Sequence, residues 1–134
     1  MDKAELLSRL LVEHGMPTRG FENIERGVRI RFMDNSYVDI MDSGITLLYI
    51  ARRVGCERVL ELRDRIKEYL TRLSALNVIA GIEVLSEGCY LALLRKLDLK
   101  ISMEQANEQD LSKIWTEYIR TLKLLPLITG TRIS

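Results

Sequence analysis

The sequence predicts an α+β fold in which helices pack on one face of an antiparallel sheet. Apolar and polar residues alternate between residues 28 and 50, which is the pattern of half-buried strands. Segments with leucines and isoleucines at helical spacing stand before and after this stretch. The 134 residues are 47% hydrophobic and 29% charged with only two prolines, as in globular proteins. We therefore expect a single α+β domain over residues 1–134.

The chain is predicted to begin with a helix over residues 2–14. Leucines recur there at three- and four-residue spacing, and Gly15 supplies a stop signal. Residues 18–26 are predicted to form a loop, because Gly20 and Gly27 punctuate this part of the chain. The first 26 residues are thus expected to contribute one helix and no strand.

Three strands are predicted next, as an antiparallel meander with two unlike faces. One face is apolar and consists of Val28, Ile30, Phe32, Val38, Ile40, Leu48 and Ile50. The residues between them form a charged and aromatic face with Arg29, Arg31, Tyr37, Asp39 and Tyr49. Successive strand residues point to opposite sides of a sheet, so the first set predicts the core and the second an outward surface.

The register of the meander follows from keeping the apolar face intact. Three-residue loops at residues 33–35 and 42–44 achieve this, whereas a two-residue turn in the first loop would mix the faces. The expected cross-strand pairs are Ile30 with Val38, Val28 with Ile40, Arg29 with Asp39, Arg31 with Tyr37, Leu48 with Val38, and Tyr49 with Tyr37.

A long helix is predicted over residues 56–76, where apolar residues step by three and four positions. We call its apolar residues the heptad seam: Val59, Leu62, Ile66, Tyr69, Leu73 and Leu76. Such a seam packs either on the chain's own sheet or on the same helix of a second copy. The second interpretation predicts a homo-oligomer, with a dimer favoured, and an interface made of Val59, Leu62, Ile66, Tyr69 and Leu73.

Residues 78–101 are predicted as a mixed segment. The stretch from Ile82 to Leu91 resembles a hairpin with a three-residue loop that ends in glycine, at residues 86–88, but residues 91–97 are good helix formers. We therefore expect a strand, a turn and then a helix over residues 88–97.

A C-terminal helix completes the predicted fold. Ser102 with Gln105 forms a capping box at its start. The helix then runs to Leu125 with one apolar face that suits packing on the sheet, and Pro126 ends it.

Charge and hydropathy argue against several functional classes. The net charge of +1 creates no overall field that favours nucleic acid or a membrane surface. No apolar run is long enough to span a membrane, and the amphipathic start is unlike a signal peptide, so we expect a cytoplasmic protein. Scarce asparagine and glutamine favour a thermophilic source.

The sequence contains no motif for catalysis, metal binding or cofactor binding. His14 is the single histidine, so neither a nucleophile–histidine pair nor a zinc site can be built around it. Glycine-rich phosphate loops do not occur either. We therefore expect no cofactor, no metal and no small-molecule ligand. Cys56 and Cys89 are expected to be buried free thiols, with a single disulfide as the alternative in a hot habitat.

The charged and aromatic face of the meander is the candidate binding surface. Its predicted contact residues are Arg29, Arg31, Tyr37 and Tyr49, with Arg52 and Arg53 as an extension. Guanidinium groups beside aromatic rings suit single-stranded nucleic acid. Two other interpretations stay open. In the first, the chain's own helix covers this face. In the second, the face is a subunit interface, where tyrosine and arginine are enriched.

The function predicted from these features is a non-enzymatic module that binds itself or a partner protein. We place it inside a nucleic-acid-handling complex of a prokaryote or a virus. The alternative is a small enzyme whose divalent ion is held by acidic residues at the hairpin ends: Asp34, Asp39, Asp42 and Glu83.

Overall fold

The computed structural model of the chain describes residues 18–32, 36–97 and 108–130, with residues 9, 11–13 and 15 before them. The strands are β1 (Thr18–Ile24), β2 (Gly27–Phe32), β3 (Tyr37–Met41), β4 (Thr46–Val54), β5 (Val78–Leu85) and β6 (Gly88–Leu97). The helices are α1 (Val59–Glu68), α2 (Leu70–Ala75), α3 (Glu108–Leu122) and α4 (Leu124–Thr129), and a 3-10 turn, Cys56–Arg58, precedes α1. The predicted α+β class is confirmed.

All six strands lie in one antiparallel sheet with the order β1-β2-β3-β4-β6-β5. The predicted three-stranded meander is its central part, and its register is confirmed at every derived pair. Val28 pairs with Ile40, Ile30 with Val38, Arg29 with Asp39, Arg31 with Tyr37, Val38 with Leu48, and Tyr37 with Tyr49. Keeping one face apolar therefore fixed the pairing, as a one-residue slip would have exposed the core residues.

The prediction of a loop over residues 18–26 is wrong, because β1 occupies most of it. Phe21 pairs with Ile30 and adds an apolar side chain to the core face. The strand is irregular between Thr18 and Gly20, where the register shifts as in a β-bulge. Glycine in this segment therefore marks a bulge within a strand rather than the predicted loop.

The prediction of a helix over residues 88–97 is also wrong, because this segment is the strand β6. It pairs on one side with β4 and on the other with β5, so the mixed segment is a hairpin that joins the sheet. The leucines of β6 favour helix intrinsically, but Leu91 and Leu93 gain complete burial as strand residues. Tertiary packing thus overrides the local preference.

The long helix predicted over residues 56–76 is divided. The 3-10 turn comes first, and α1 ends where Tyr69 leaves helical geometry with φ −100° and ψ 7°. The short helix α2 then runs to Ala75, and Asn77 ends the segment in the left-handed conformation with φ 57°. No glycine or proline predicts the break at Tyr69, so the sequence pattern alone could not place it.

The C-terminal helix is divided as well. Pro126 does not end it but lies in the first turn of α4. Backbone N–H groups in a first turn have no acceptor within the helix, so the N–H that proline lacks is not missed there. Gly130 ends α4 instead, with φ 71° and its N–H bonded to the Pro126 carbonyl at 2.9 Å. The capping box at Ser102 and most of the helix predicted over residues 2–14 lie outside the described residues.

The core lies between the helices and one face of the sheet, which we call the inner face. Helices α1 and α2 contact β5, α3 contacts β4 and β6, and α4 packs on α1 and α3. Ile30, Leu48 and Leu93 are fully buried on this face. Residues 11–13 are helical, and Leu11 joins the same core. Among the described residues, no helix is both long enough and apolar enough to cross a membrane.

The expectation of free thiols is wrong, because Cys56 and Cys89 form a disulfide. The pairing of β4 with β6 sets Val54 opposite Cys89, and Cys56 follows two residues later. Their Cα atoms are 5.3 Å apart, which is within the usual range for a disulfide. The bond therefore depends on the pairing of β4 with β6, and residues 88–97, which form β6, were predicted to be a helix.

Candidate binding surface

The candidate contact residues lie on the second face of the sheet, which we call the outer face. Residues paired across antiparallel strands share a face, so the register groups Arg31, Tyr37 and Tyr49 in one row and Arg29 with Asp39 in the next. The described helices pack on the inner face, and Arg31 keeps 47% of its side chain exposed. Within the described part of the chain, the outer face is therefore not covered by a helix.

An aromatic stack forms the centre of the outer face. The rings of Tyr37 and Tyr49 stack with centroids 4.6 Å apart and an angle of 20° between their planes. The guanidinium carbon of Arg29 lies 3.9 Å from the Tyr37 centroid, within cation–π distance. This Arg–Tyr–Tyr stack fixes the orientation of side chains that would otherwise sample several rotamers.

Arg29 and Arg31 are each paired with a carboxylate. Arg29 donates two hydrogen bonds to Asp39, from Nε to Oδ1 at 2.8 Å and from Nη2 to Oδ2 at 2.9 Å. Arg31 donates to Oε1 of Glu22 from Nε at 3.0 Å and from Nη2 at 2.7 Å. The side-chain bond to Asp39 raises the pKa of Arg29, so this guanidinium group stays charged. These cations are therefore partly occupied before any ligand arrives.

Glu83 connects the aromatic stack to β5. Its Oε1 accepts a hydrogen bond from the Tyr49 hydroxyl at 3.0 Å. Burial of the ring, followed by the bond to Glu83 and the repulsion of its carboxylate, raises the pKa of Tyr49 well above its ordinary value. Burial also raises the pKa of Tyr37, against the opposing effect of Arg29. Both phenols consequently remain neutral donors at physiological pH.

An open groove of about 440 Å³ crosses the outer face from this stack toward the β5–β6 turn. We call it the aromatic groove; it is lined by Arg31, Tyr37, Tyr49, Ala51, Glu83, Leu85, Glu87 and Tyr90. It combines three phenol rings with one cation and two carboxylates. Such a lining suits a ligand that offers both apolar groups and charge, as a polypeptide does.

The structure separates the two arginines predicted to extend the surface. Arg53 lies beside the aromatic groove, where its Nη2 donates to the Glu87 carbonyl at 3.0 Å. Arg52 is the next residue along β4 and therefore points to the opposite side of the sheet. Arg53 fits the candidate surface by position, and Arg52 does not.

Several residues of the aromatic groove were missed as binding residues by the sequence analysis. Glu87, Leu85 and Tyr90 come from the β5–β6 hairpin, half of which was predicted to be helical. The turn Ser86-Glu87-Gly88 between two apolar runs was the signal that could have placed them. A three-residue loop at 86–88 would set Glu83 opposite Leu91, whereas the structure has a two-residue turn at residues 86–87 and sets Glu83 opposite Tyr90.

The heptad seam contributes to the chain's own core. Leu62, Ile66 and Leu73 are buried, and Tyr69 packs against the same core cluster. A second copy has no access to those three buried side chains. The large apolar residues that this segment exposes are Leu60 and Leu70, on another side, and the seam residue Leu76 at its end. The predicted homo-oligomer itself stays a prediction.

The acidic residues of the alternative enzyme hypothesis do not converge. Asp39 is buried and bound to Arg29, whereas Asp42 is exposed in the β3–β4 turn. Glu83 lies on β5 and accepts a hydrogen bond from the Tyr49 hydroxyl, and Asp34 lies outside the described residues. No group of three acidic, histidine or cysteine side chains within the described part of the chain is arranged to hold a metal ion.

Comparison with known proteins gives structural neighbours only. No protein-family model matches the chain, and no curated protein does. The crystal structure of YbjN, described as "a putative transcription regulator from E. coli", matches 92% of this chain and 87% of its own at 18% identity, with a TM-score of 0.52. An uncharacterized protein from Methanothermobacter thermautotrophicus matches 96% of this chain and 98% of its own at 14% identity, with a TM-score of 0.55. At such identities these neighbours support the fold alone.

Proposed function

We propose that the chain is a non-enzymatic binding module that holds a segment of a partner protein on the outer face of its sheet. The observation that supports this proposal is the aromatic groove, in which three tyrosine rings and an exposed leucine lie among charges of both signs. Tyrosine and arginine are among the residues enriched at protein interfaces. The stacked rings are also pre-ordered, which lowers the entropy cost of binding.

The charge pattern favours a polypeptide over a nucleic acid. Glu83 and Glu87 line the aromatic groove, and a phosphate backbone that entered it would meet both carboxylates. Arg31 is already paired with Glu22, so binding a phosphate would require an exchange of partners. A protein segment with an apolar side chain and a basic side chain satisfies the rings and the carboxylates together.

Single-stranded nucleic acid is the second candidate ligand. Arg31 and Arg53 retain exposed surface beside Tyr37 and Tyr90, and bases could stack on those rings. The description of YbjN as "a putative transcription regulator" is compatible with both ligands, because regulators act through protein contacts as well as through nucleic acid. Membership of a nucleic-acid-handling complex is therefore kept as part of the proposal.

A phage-displayed peptide library panned on the immobilised full chain tests the proposal. We expect enriched peptides that carry an aromatic or aliphatic residue near a basic one. Glu83→Arg should weaken a synthetic version of such a peptide by at least about tenfold, which is 1.4 kcal/mol. Arg63→Glu, on the exposed side of α1, is the matched charge-reversal control and should leave the affinity unchanged.

The same protein is then titrated with a fluorescent oligothymidylate at low and high salt. Weak binding at both salt concentrations agrees with the proposal. A tight complex that high salt disrupts and that Arg31→Glu abolishes would favour the nucleic-acid candidate instead. Failure of the library to enrich any peptide that responds to Glu83→Arg would overturn the proposal.

A further inference from the structure

The strand β5 is an open edge of the sheet. It is last in the strand order and pairs only with β6 among the described residues. Its register is continuous over eight pairs, from Val78 with Arg95 to Leu85 with Gly88. The opposite edge, β1, carries a bulge and the charged residues Arg19 and Glu22, which protect an edge from further pairing. The β5 edge has no bulge, and Glu83 is its one charged residue.

The side chains of β5 are unusually apolar for an exposed strand. Ile79 is 71% exposed, Val84 64% and Leu85 46%. Glu83 is the one charged residue of this eight-residue strand, which contains no proline. A long, regular and hydrophobic edge of this kind is a template for another strand.

The hydrogen-bonding groups that face outward can be assigned. Residues 86–87 form a two-residue turn, so Leu85 and Gly88 close the hairpin as a hydrogen-bonded pair. Odd-numbered residues of β5 then bond to β6, and Asn77 agrees, since its carbonyl accepts from the Lys96 N–H at 3.4 Å. Even-numbered residues therefore direct their N–H and C=O groups away from the sheet: Val78, Ala80, Ile82 and Val84.

We propose that a second copy of this chain pairs antiparallel with β5 about a two-fold axis at Ile82, which joins the two sheets. In that register Ile79 lies opposite the partner's Leu85, and Gly81 lies opposite the partner's Glu83. The exposed apolar residues thus meet each other, and each carboxylate meets a glycine. The inference goes beyond the proposed function, because it identifies the occupant of the β5 edge and holds whether or not the aromatic groove is filled.

Neighbouring registers are less favourable for a physical reason. Paired residues must share a face, so the register can shift only in steps of two residues. Such a shift moves the two-fold axis by one residue along the strand. An axis at Glu83 places the two carboxylates directly opposite each other, which is destabilising. An axis at Gly81 places Ile79 opposite the partner's Glu83. Charge and hydrophobicity therefore select the axis at Ile82.

The joined sheet also places other apolar groups together. Both copies of α1 and α2 lie on the same side of it, beneath the β5 edges, and these helices expose Leu60 and Leu70. On the outer face, Leu85 lines the aromatic groove next to the partner's Ile79. The groove would thus continue into the second copy, and its apolar end is incomplete in a single chain.

Cysteine crosslinking tests the register. The double variant Ile79→Cys/Leu85→Cys should form a covalent dimer under mild oxidation, since each new thiol faces its counterpart across the axis. The two positions are six residues apart in an extended strand, roughly 20 Å, so they cannot join within one chain. Each single variant is the control and should stay uncrosslinked, because its thiol lies opposite an apolar residue of the partner. Equal crosslinking in a single variant would overturn the register.

Sedimentation equilibrium of the full chain tests the dimer itself. Gly81→Lys and Gly81→Glu introduce opposite charges, and a Cβ atom at Gly81 meets no neighbouring atom within 4 Å in one copy. Two new pairs with the partner's Glu83 should lower the dissociation constant of the lysine variant by roughly two- to thirtyfold, and the glutamate variant should change in the opposite direction. Only a 15.5 kDa species at every concentration, or identical dissociation constants for both variants, would overturn the proposal. The two proposals can fail separately. If the double cysteine variant forms the crosslink but no selected peptide responds to Glu83→Arg, the dimer stands and the proposed function fails.

Discussion

At the scale of single residues, the outer face is an example of polar side chains that order one another. Arg29 is held by Asp39 at one end and covers Tyr37, and Tyr37 stacks on Tyr49. Tyr49 in turn donates to Glu83. Each contact restricts the rotamers of the next side chain, so a row of flexible groups becomes a fixed surface. A binding surface of this kind loses little entropy when a ligand arrives.

The tyrosines of this row predict a specific response to alkaline pH. Burial and Glu83 raise the pKa of Tyr49, so the folded state holds its proton more tightly than the unfolded chain. The resulting stabilisation is complete below the ordinary tyrosine pKa of 10.0 and is lost as the pH rises toward the folded value. Stability should therefore be level up to about pH 9 and decline above pH 10.

The contribution of Glu83 can be isolated by a phenolate titration followed through ultraviolet absorbance. Glu83→Gln removes the repelling carboxylate, so we expect Tyr49 to ionise at lower pH than in the wild type, though still late because the ring stays buried. Glu87→Gln is the control, since Glu87 does not contribute to the raised pKa of Tyr49 and its replacement should leave the curve in place. An identical curve for Glu83→Gln and the wild type would contradict this assignment.

At the scale of elements, arginines act as structural caps. Arg65 of α1 donates from Nε to the Ile128 carbonyl at 2.6 Å and from Nη2 to the Leu127 carbonyl at 2.9 Å. Arg58 donates to the Thr129 carbonyl at 2.6 Å. The last carbonyls of a helix have no partner within the helix, so these two arginines complete the end of α4. The arginine content of the sequence thus has a structural cause here, independent of ligand binding.

Truncation of Arg65 should therefore destabilise the contact between α1 and α4. We expect Arg65→Ala to lower the free energy of unfolding by about 2–3 kcal/mol, because two bonds from a charged donor are lost. Arg65→Lys should recover part of this, since it keeps the charge without the planar fork. Urea denaturation measures both, with the exposed Arg63→Ala as a control expected within about 0.5 kcal/mol of the wild type. Equal losses for Arg65→Ala and Arg63→Ala would show that the caps contribute nothing.

The elements also show which parts of the fold could be predicted from the sequence. The meander register followed from alternation alone, because only one pairing keeps Val28, Ile30 and their neighbours on one face. That register also placed Tyr37 beside Tyr49, which is the centre of the candidate site. Local patterns therefore suffice where two faces of a strand differ in chemistry.

The errors occurred where tertiary contacts decide the structure. The leucines of β6 have helical preference, and only the pairing with β4 and β5 makes them a strand. The Glu83 contact with Tyr49 joins residues on non-adjacent strands, so no local pattern could reveal it. The disulfide depends on the same pairing. One misassigned segment thus concealed half of the aromatic groove and the covalent link.

At the scale of the whole molecule, the disulfide ties the two parts of the sheet together. Cys56 follows β4 and Cys89 is the second residue of β6, so the bond joins the meander to the hairpin that carries Glu83 and Leu85. Disulfides persist in oxidising compartments and in intracellular proteins of hyperthermophiles, whereas an ordinary cytoplasm reduces them. The disulfide therefore agrees with a cytoplasmic location in a hyperthermophile or with an oxidising compartment, and not with an ordinary reducing cytoplasm.

Removal of this bond should lower the stability of the entire fold. The two cysteines are 33 positions apart, and opening a loop of that size costs about 3–4 kcal/mol through the entropy of the unfolded chain. Cys56→Ser is the suitable variant, because Cys56 is exposed whereas a hydroxyl at the buried Cys89 would add a second cost. Guanidinium denaturation should show the same loss for Cys56→Ser and for the reduced wild type, and reductant should not change the variant further. A wild-type midpoint that reductant leaves unchanged, or two titratable thiols in the native protein, would show that the bond contributes no stability or does not form.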